Sequence, residues 1–193
     1  MKLSITLKVS LIIAILAIFC FTPLGSIPIG PIVATTAMIP VVISSLTFGE
    51  RLGMIVGFVF GLFSFIYWTF ILPAFPTAFL FTPFAESVGY KGNLGSLVIC
   101  FIPRILVGLT PILVSRLLKQ SIFGDLLGSV VGSLTNTILV ITFIFLFFGN
   151  ENPVIAGKGL LTVLTATIVT NGIPEAIICA VVCPPIVKIL RNI

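Results

Sequence analysis

Arg104 lies inside GSLVICFIPRILVGLTPILVSRLLK (95–119), an apolar run long enough to cross a bilayer. A guanidinium at membrane depth costs about 2.5–3.5 kcal/mol even on mild insertion scales, so it must face a bundle interior, a water-filled cavity or an opposite charge. Comparable polar groups inside apolar runs occur at Asn136, in GSLTNTILV, and at Asn171 and Glu175, in TNGIPEAIICAVV. Arginine offers a planar fork of N–H donors that matches a carboxylate. One arginine, one glutamate, two asparagines, neighbouring threonines and the only tryptophan, Trp68, suit a small ligand carrying a carboxylate plus hydroxyl or amide groups. The same residues admit a second arrangement, an Arg104–Glu175 ion pair with Asn136 and Asn171 as interhelical hydrogen-bond glue. Catalysis is poorly served, because the chain has no histidine, its aspartate stands at a helix start, and no serine or cysteine has an evident base. No catalytic residue is assigned, and an intramembrane enzyme or a purely structural membrane protein are the readings from other classes.

The composition dictates what holds these groups. Of the 193 residues 59% are hydrophobic and 8% charged, with a mean hydropathy of +1.35, whereas a soluble globule carries about 25% charged residues. The chain reads as an all-α integral membrane protein, a single domain over residues 1–193 with no room for a soluble catalytic unit. Its net charge of +5, from 10 Lys+Arg against 5 Asp+Glu, comes from basic residues placed singly at the ends of apolar runs. That is a topology signal and gives no reason to expect nucleic acid. Cys20, Cys100, Cys179 and Cys183 lie in or beside apolar runs with no CxxC pair, so they read as small packing residues. Neither a metal nor a cofactor is expected. The N-terminal run is not followed by an A-x-A cleavage site and reads as a first span, not a signal peptide.

About 20 apolar residues suffice to cross the hydrocarbon core, and the apolar runs divide into about six such spans. Span one covers Ser4–Phe21 and carries a strip of small residues, Ser10, Ala14 and then Ala17, where another helix could approach closely. A loop from Thr22 to about Val33, with Pro23, Gly25, Pro28, Gly30 and Pro31, excludes regular helix. Span two, Ala34–Phe48, is short and ends at Glu50 and Arg51. Span three, Leu52–Ile71, has Gly53, Gly57 and Gly61 along one face, a close-packing surface, before Tyr67 and Trp68 near its far end. The proline-rich connection 72–95 is a candidate lid. Span four carries Arg104. Span five, Phe123–Phe148, repeats the glycine device at Gly124, Gly128 and Gly132. After a loop holding Glu151 and Lys158, residues 160–193 exceed one perpendicular span, so a kink is expected at Gly172–Pro174.

With a cytoplasmic N-terminus the inner side collects Lys2, Lys8, Arg51, Arg116, Lys119, Lys188 and Arg191, against Lys91 and Lys158 outside, so both termini are expected inside. At about 1.5 Å per helical residue, Arg104, Asn136 and Glu175 all fall roughly 16–20 Å above the inner face. Trp68 falls higher, at about 25 Å. Polar groups of spans four, five and six thus converge in the outer half of the membrane. Nothing here powers uptake, since the chain lacks a GxxxxGK[ST] phosphate loop and two similar halves. A chain that captures a ligand and cannot pump needs a partner.

The six short spans, together with IPIGPIVATTAMIPVVISSLTFGERLGMIVGFVFGLFSF after the first and GNLGSLVICFIPRILVGL opening the fourth, resemble the substrate-binding S components of energy-coupling factor (ECF) vitamin transporters. That resemblance covers nearly the whole chain. It implies a multi-pass binding subunit of the bacterial cytoplasmic membrane that docks on a transmembrane scaffold subunit carrying two cytoplasmic ATPase subunits. Within the family the chain is most similar to pantothenate-type members, which implies pocket roles for Trp68, Arg104, Asn136 and Glu175. Folate, riboflavin, lipoate, pyridoxine and cobalamin remain the alternative substrate types. The family's docking motif is often Ala-x-x-x-Ala, for which this chain has Ser10-x-x-x-Ala14.

Overall fold

A computed structural model describes residues 4–29, 32–87, 89–149 and 159–192. Lys2, Gly30, Pro31, Glu151 and Lys158, used above for loops and orientation, lie outside them. The fold is mostly helical, with about six helical units. Helix α1 is Ile5–Phe21, started by Ser4, whose Oγ accepts the Leu7 amide. Helix α2 is Ile39–Phe48 and α3 is Glu50–Ile66, continuing as a π-helical turn over Tyr67–Ile71. Helix α4 (Leu94–Val107) is followed closely by α5 (Thr110–Leu117), then by α6 (Ile122–Phe148). Helix α7 (Leu160–Thr167) runs through a π turn at Ile168–Gly172 into α8 (Ile173–Asn192). Four units, Glu50–Ile71, Leu94–Leu117, Ile122–Phe148 and Leu160–Asn192, are long and apolar enough to cross a membrane; α1 and α2 are shorter.

Two short antiparallel hairpins complete the chain. Strands β1 (Ser26–Ile29) and β2 (Ile32–Thr35) fill the proline- and glycine-marked loop, pairing Ser26 with Thr35. Because β2 runs through Ala34 and Thr35, α2 begins at Ile39, five residues later than its sequence suggests, with Pro40 in its first turn, where a missing amide does no harm. Strands β3 (Glu86–Ser87) and β4 (Tyr90–Lys91) follow a 3-10 turn at Ala78–Leu80. The π turn at Ile168–Gly172 lies just before and at the start of Gly172–Pro174, where a kink is expected. One break was not expected: span four divides at Gly108–Leu109 into α4 and α5. Pro111 has no amide for the Val107 carbonyl, and Gly108 is pressed backbone to backbone against Gly53, with no room for a Cβ on either.

The polarity pattern suits lipid. Large apolar side chains such as Leu11, Phe58, Leu146 and Val181 are exposed on the outer faces, while glycines, serines and the charged Arg104, Asp125 and Glu175 are buried. Two apolar clusters fill the interior. One joins α1, α2, α3 and α8 around Leu16, Val42, Val56, Phe60 and Val187; the other joins Phe79, Leu80, Ile99 and Ile144.

Candidate ligand site

The glycine face of α3 places Arg104. A Cβ at Gly57 would collide with the carbonyl oxygen of Arg104, and one at Gly61 would meet the Phe101 ring at 2.8 Å. Bare backbone on α3 therefore lets α4 approach close enough to bury the arginine, which is 7% exposed. The second glycine face works in the same way. A Cβ at Gly132 would lie 2.7 Å from the Pro111 ring, so α6 sits directly on α5.

The buried guanidinium is only partly satisfied. Its Nη1 donates to the carbonyl of Ile99 at 2.6 Å. The rings of Phe60 and Phe81 lie over it at 5.7 and 5.1 Å from their centroids, within cation–π range. Nε is buried without a hydrogen-bond partner, and Nη2 has none among the described residues. Among the described residues no carboxylate answers this charge: the ion pairs are Arg116–Glu50 and Arg191–Asp125.

Phe81 connects Arg104 to Trp68. The indole, half-buried on the π turn after α3, stacks on Phe81 with centroids 5.5 Å apart and planes 19° apart. Tyr67 and Phe75 flank it at 5.5 and 5.6 Å. The segment bearing Phe81 is tied down on both sides. Thr69 on the π turn donates to Thr82 Oγ1 at 2.8 Å, and Ser96 on α4 donates to the Phe79 carbonyl at 2.7 Å. Ser96 also accepts the Asn93 amide, completing the capping box that starts α4. The long connection is therefore packed in its middle, with Phe79 and Leu80 fully buried.

The other polar residues make no hydrogen bond to Arg104 among the described residues. Asn136 on α6 has a buried Oδ1 with no partner. Its neighbour Thr137 packs on the π turn that carries Asn171, within 3.6 Å of where a Gly172 Cβ would stand. Glu175, 5% exposed, accepts the Thr35 amide on Oε1 at 2.8 Å and so ties α8 to the end of the first hairpin. The structure thus joins Trp68 with Arg104 and the Asn136 turn with the Asn171 turn, while Glu175 engages Thr35. Two contributors were missed in the sequence. Phe60 and Phe81 are two of 18 phenylalanines with no distinguishing pattern; the bond between Thr35 and Glu175, 140 residues apart, also has no sequence signal.

Ser10 and Ala14 are both exposed on α1. Beside them, an apolar groove of about 500 Å³ runs between α1, α2 and α8, lined by Leu11, Ile15, Phe19, Ile43, Val182 and Ile186 among others. It holds none of the polar site residues.

Set against known proteins, residues 6–187 match the family described as "ECF transporter, substrate-specific component". The chain is 39% identical over 163 residues to the pantothenic acid transporter PanT of Lactococcus lactis subsp. cremoris (strain MG1363), covering 84% of this chain and 80% of that protein. Its fold matches the crystal structure of the S component for biotin from an ECF-type ABC transporter, with a TM-score of 0.58 and 20% identity over 100% of this chain and 96% of the other.

Proposed function

The chain belongs to the substrate-specific components of ECF transporters, multi-pass membrane proteins that are transporter subunits and not enzymes, and from that premise we propose that it binds pantothenate for uptake. The observation that carries this reading is the buried Arg104, which among the described residues has two aromatic rings, one backbone carbonyl and no carboxylate. A buried charge of this kind favours a ligand that brings the missing anion. Pantothenate has one carboxylate, with hydroxyls and an amide for neutral partners, and Trp68, Asn136 and Asn171 supply an aromatic wall and amide groups. Glu175 contributes from the side, through the first hairpin. The relative's name points to the same vitamin.

The architecture proposed for this role is one domain of six membrane spans with both termini cytoplasmic. The units formed by α1, α2, α3, α4–α5, α6 and α7–α8 supply the spans, and the basic residues Lys8, Arg51, Arg116, Lys119, Lys188 and Arg191 supply the inward bias. Its partners are the transmembrane scaffold subunit and two cytoplasmic ATPase subunits. Ser10 and Ala14, exposed and small, form the docking strip, since small side chains let helices approach closely in lipid.

Titration calorimetry of the purified chain with pantothenate in the absence of ATP tests the ligand. Tight one-to-one binding is expected; binding of folate, riboflavin or a lipoyl compound with none of pantothenate overturns the substrate. Ala14→Trp tests the docking strip. Vitamin binding to the isolated chain should persist while ATP-driven uptake by the assembled transporter fails, and normal uptake would remove the strip from the interface.

A further inference from the structure

Arg104 follows a proline inside α4. In an α-helix the amide of residue 103 would bond to the carbonyl of residue 99, but proline has no amide and its ring pushes that carbonyl off the helix axis. Ile99 is fully buried, so its released carbonyl needs another donor. The donor is Nη1 of Arg104 at 2.6 Å.

This bond selects which part of the guanidinium stays free. The side chain has five N–H donors in a fixed plane. Phe60 and Phe81 lie over the group, and the Ile99 carbonyl holds Nη1. What remains is the Nε–Nη2 edge, two parallel N–H groups of which Nε is buried and unpartnered. That edge is the side-on fork that receives a carboxylate through two hydrogen bonds. We infer that Pro103 is a positioning residue for the ligand carboxylate: it frees the Ile99 carbonyl to anchor Nη1 and so presents the Nε–Nη2 edge of Arg104 as the carboxylate fork. The inference rests on the carboxylate-ligand reading above and adds to it the residue that orients the arginine.

Pro103→Ala restores an amide that claims the Ile99 carbonyl along the helix axis, which leaves Nη1 without its anchor. The experiment compares pantothenate with pantothenol, in which a hydroxymethyl group replaces the carboxylate, by calorimetry on the parent chain and on Pro103→Ala, alongside melting temperature without ligand. The parent should prefer pantothenate. In Pro103→Ala, affinity for pantothenate should fall about tenfold, equivalent to about 1.4 kcal/mol, while affinity for pantothenol barely changes and the melting temperature does not drop. The preference for the carboxylate therefore shrinks, an effect that a mere helix kink would not produce. An unchanged preference, or equal loss of both compounds, overturns the inference and leaves the pantothenate reading standing. A parent chain that binds neither compound, or binds both alike, overturns the ligand reading and this inference with it. Pro103→Ser restores the same amide and stands in if the alanine chain does not fold; failure of both to fold assigns Pro103 to the fold and also overturns the inference.

Discussion

Arg191 and Arg104 both send a guanidinium into the bundle, one from the end of α8 and one from the middle of α4. Arg191 finds a carboxylate and a backbone carbonyl. It forks onto Asp125, donating from Nη1 to Oδ2 at 2.7 Å and from Nη2 to Oδ1 at 3.1 Å, and gives a further bond to the Leu46 carbonyl at 2.7 Å. Asp125, 3% exposed, also accepts Ser115 Oγ at 2.6 Å. This knot joins α2, α5, α6 and α8 without any ligand. Arg104 is more deeply enclosed and, among the described residues, has one backbone bond, no carboxylate and an unpartnered Nε. A buried charge matched by a carboxylate of its own protein holds helices together; one left without that match is the one with capacity to spare for a ligand.

The contrast is broken most severely by cutting the ion pair. Arg191→Met strands Asp125, a buried carboxylate with its countercharge removed, and is expected to cost about 3 kcal/mol of stability, the low end for a broken buried pair because Arg191 itself is partly exposed. Thermal melting in detergent should fall, while the folded fraction binds the vitamin with parental affinity. A loss of affinity with no change in melting would place Arg191 in the binding machinery and dissolve the contrast.

Arg104→Lys should behave in the opposite way. Replacing the planar fork by a point charge is expected to weaken vitamin binding by about 1–3 kcal/mol, with little change in melting temperature without ligand. The ligand-induced melting shift, which reports affinity by mass action, should shrink accordingly. Unaltered binding by Arg104→Lys, together with unfolding of Arg104→Met, would make Arg104 as structural as Arg191.

The smallest effect is expected at the other described ion pair, Arg116–Glu50, whose side chains are 47% and 37% exposed. Water and salt screen such a pair. Glu50→Gln should leave both melting temperature and vitamin affinity unchanged within error, and a clear drop in either would mean that this end of the molecule depends on its rim charges as well as on Asp125.

The residues that matter were unevenly legible. Arg104, Asn136 and Glu175 stood out because a polar group in an apolar run is costly and therefore placed for a reason. Pro103 carried a signal that helix geometry alone could decode, since a proline frees the carbonyl four residues earlier. Asp125 was visible only as an aspartate at a helix start, and its partner Arg191, 66 residues away, only as a terminal topology charge.

Apolar runs, glycine spacing and the single basic residues at their ends determined, by themselves, that this chain is a helical membrane protein with close-packed faces on the helices that became α3 and α6. These are local properties: hydrophobic length sets what can enter lipid, and the absence of a Cβ sets how near another backbone can come. Which partner each buried charge takes was decided only by the tertiary structure. Glu175 goes to the Thr35 amide and Arg104 to the Ile99 carbonyl between phenylalanines, although their estimated depths allowed them to meet. A depth gives height along the membrane normal and says nothing of rotation about the helix axis. Rotation and side-chain reach are settled by packing, through the Gly57 contact that brings Arg104 against α3 and the hairpin that brings Thr35 to α8.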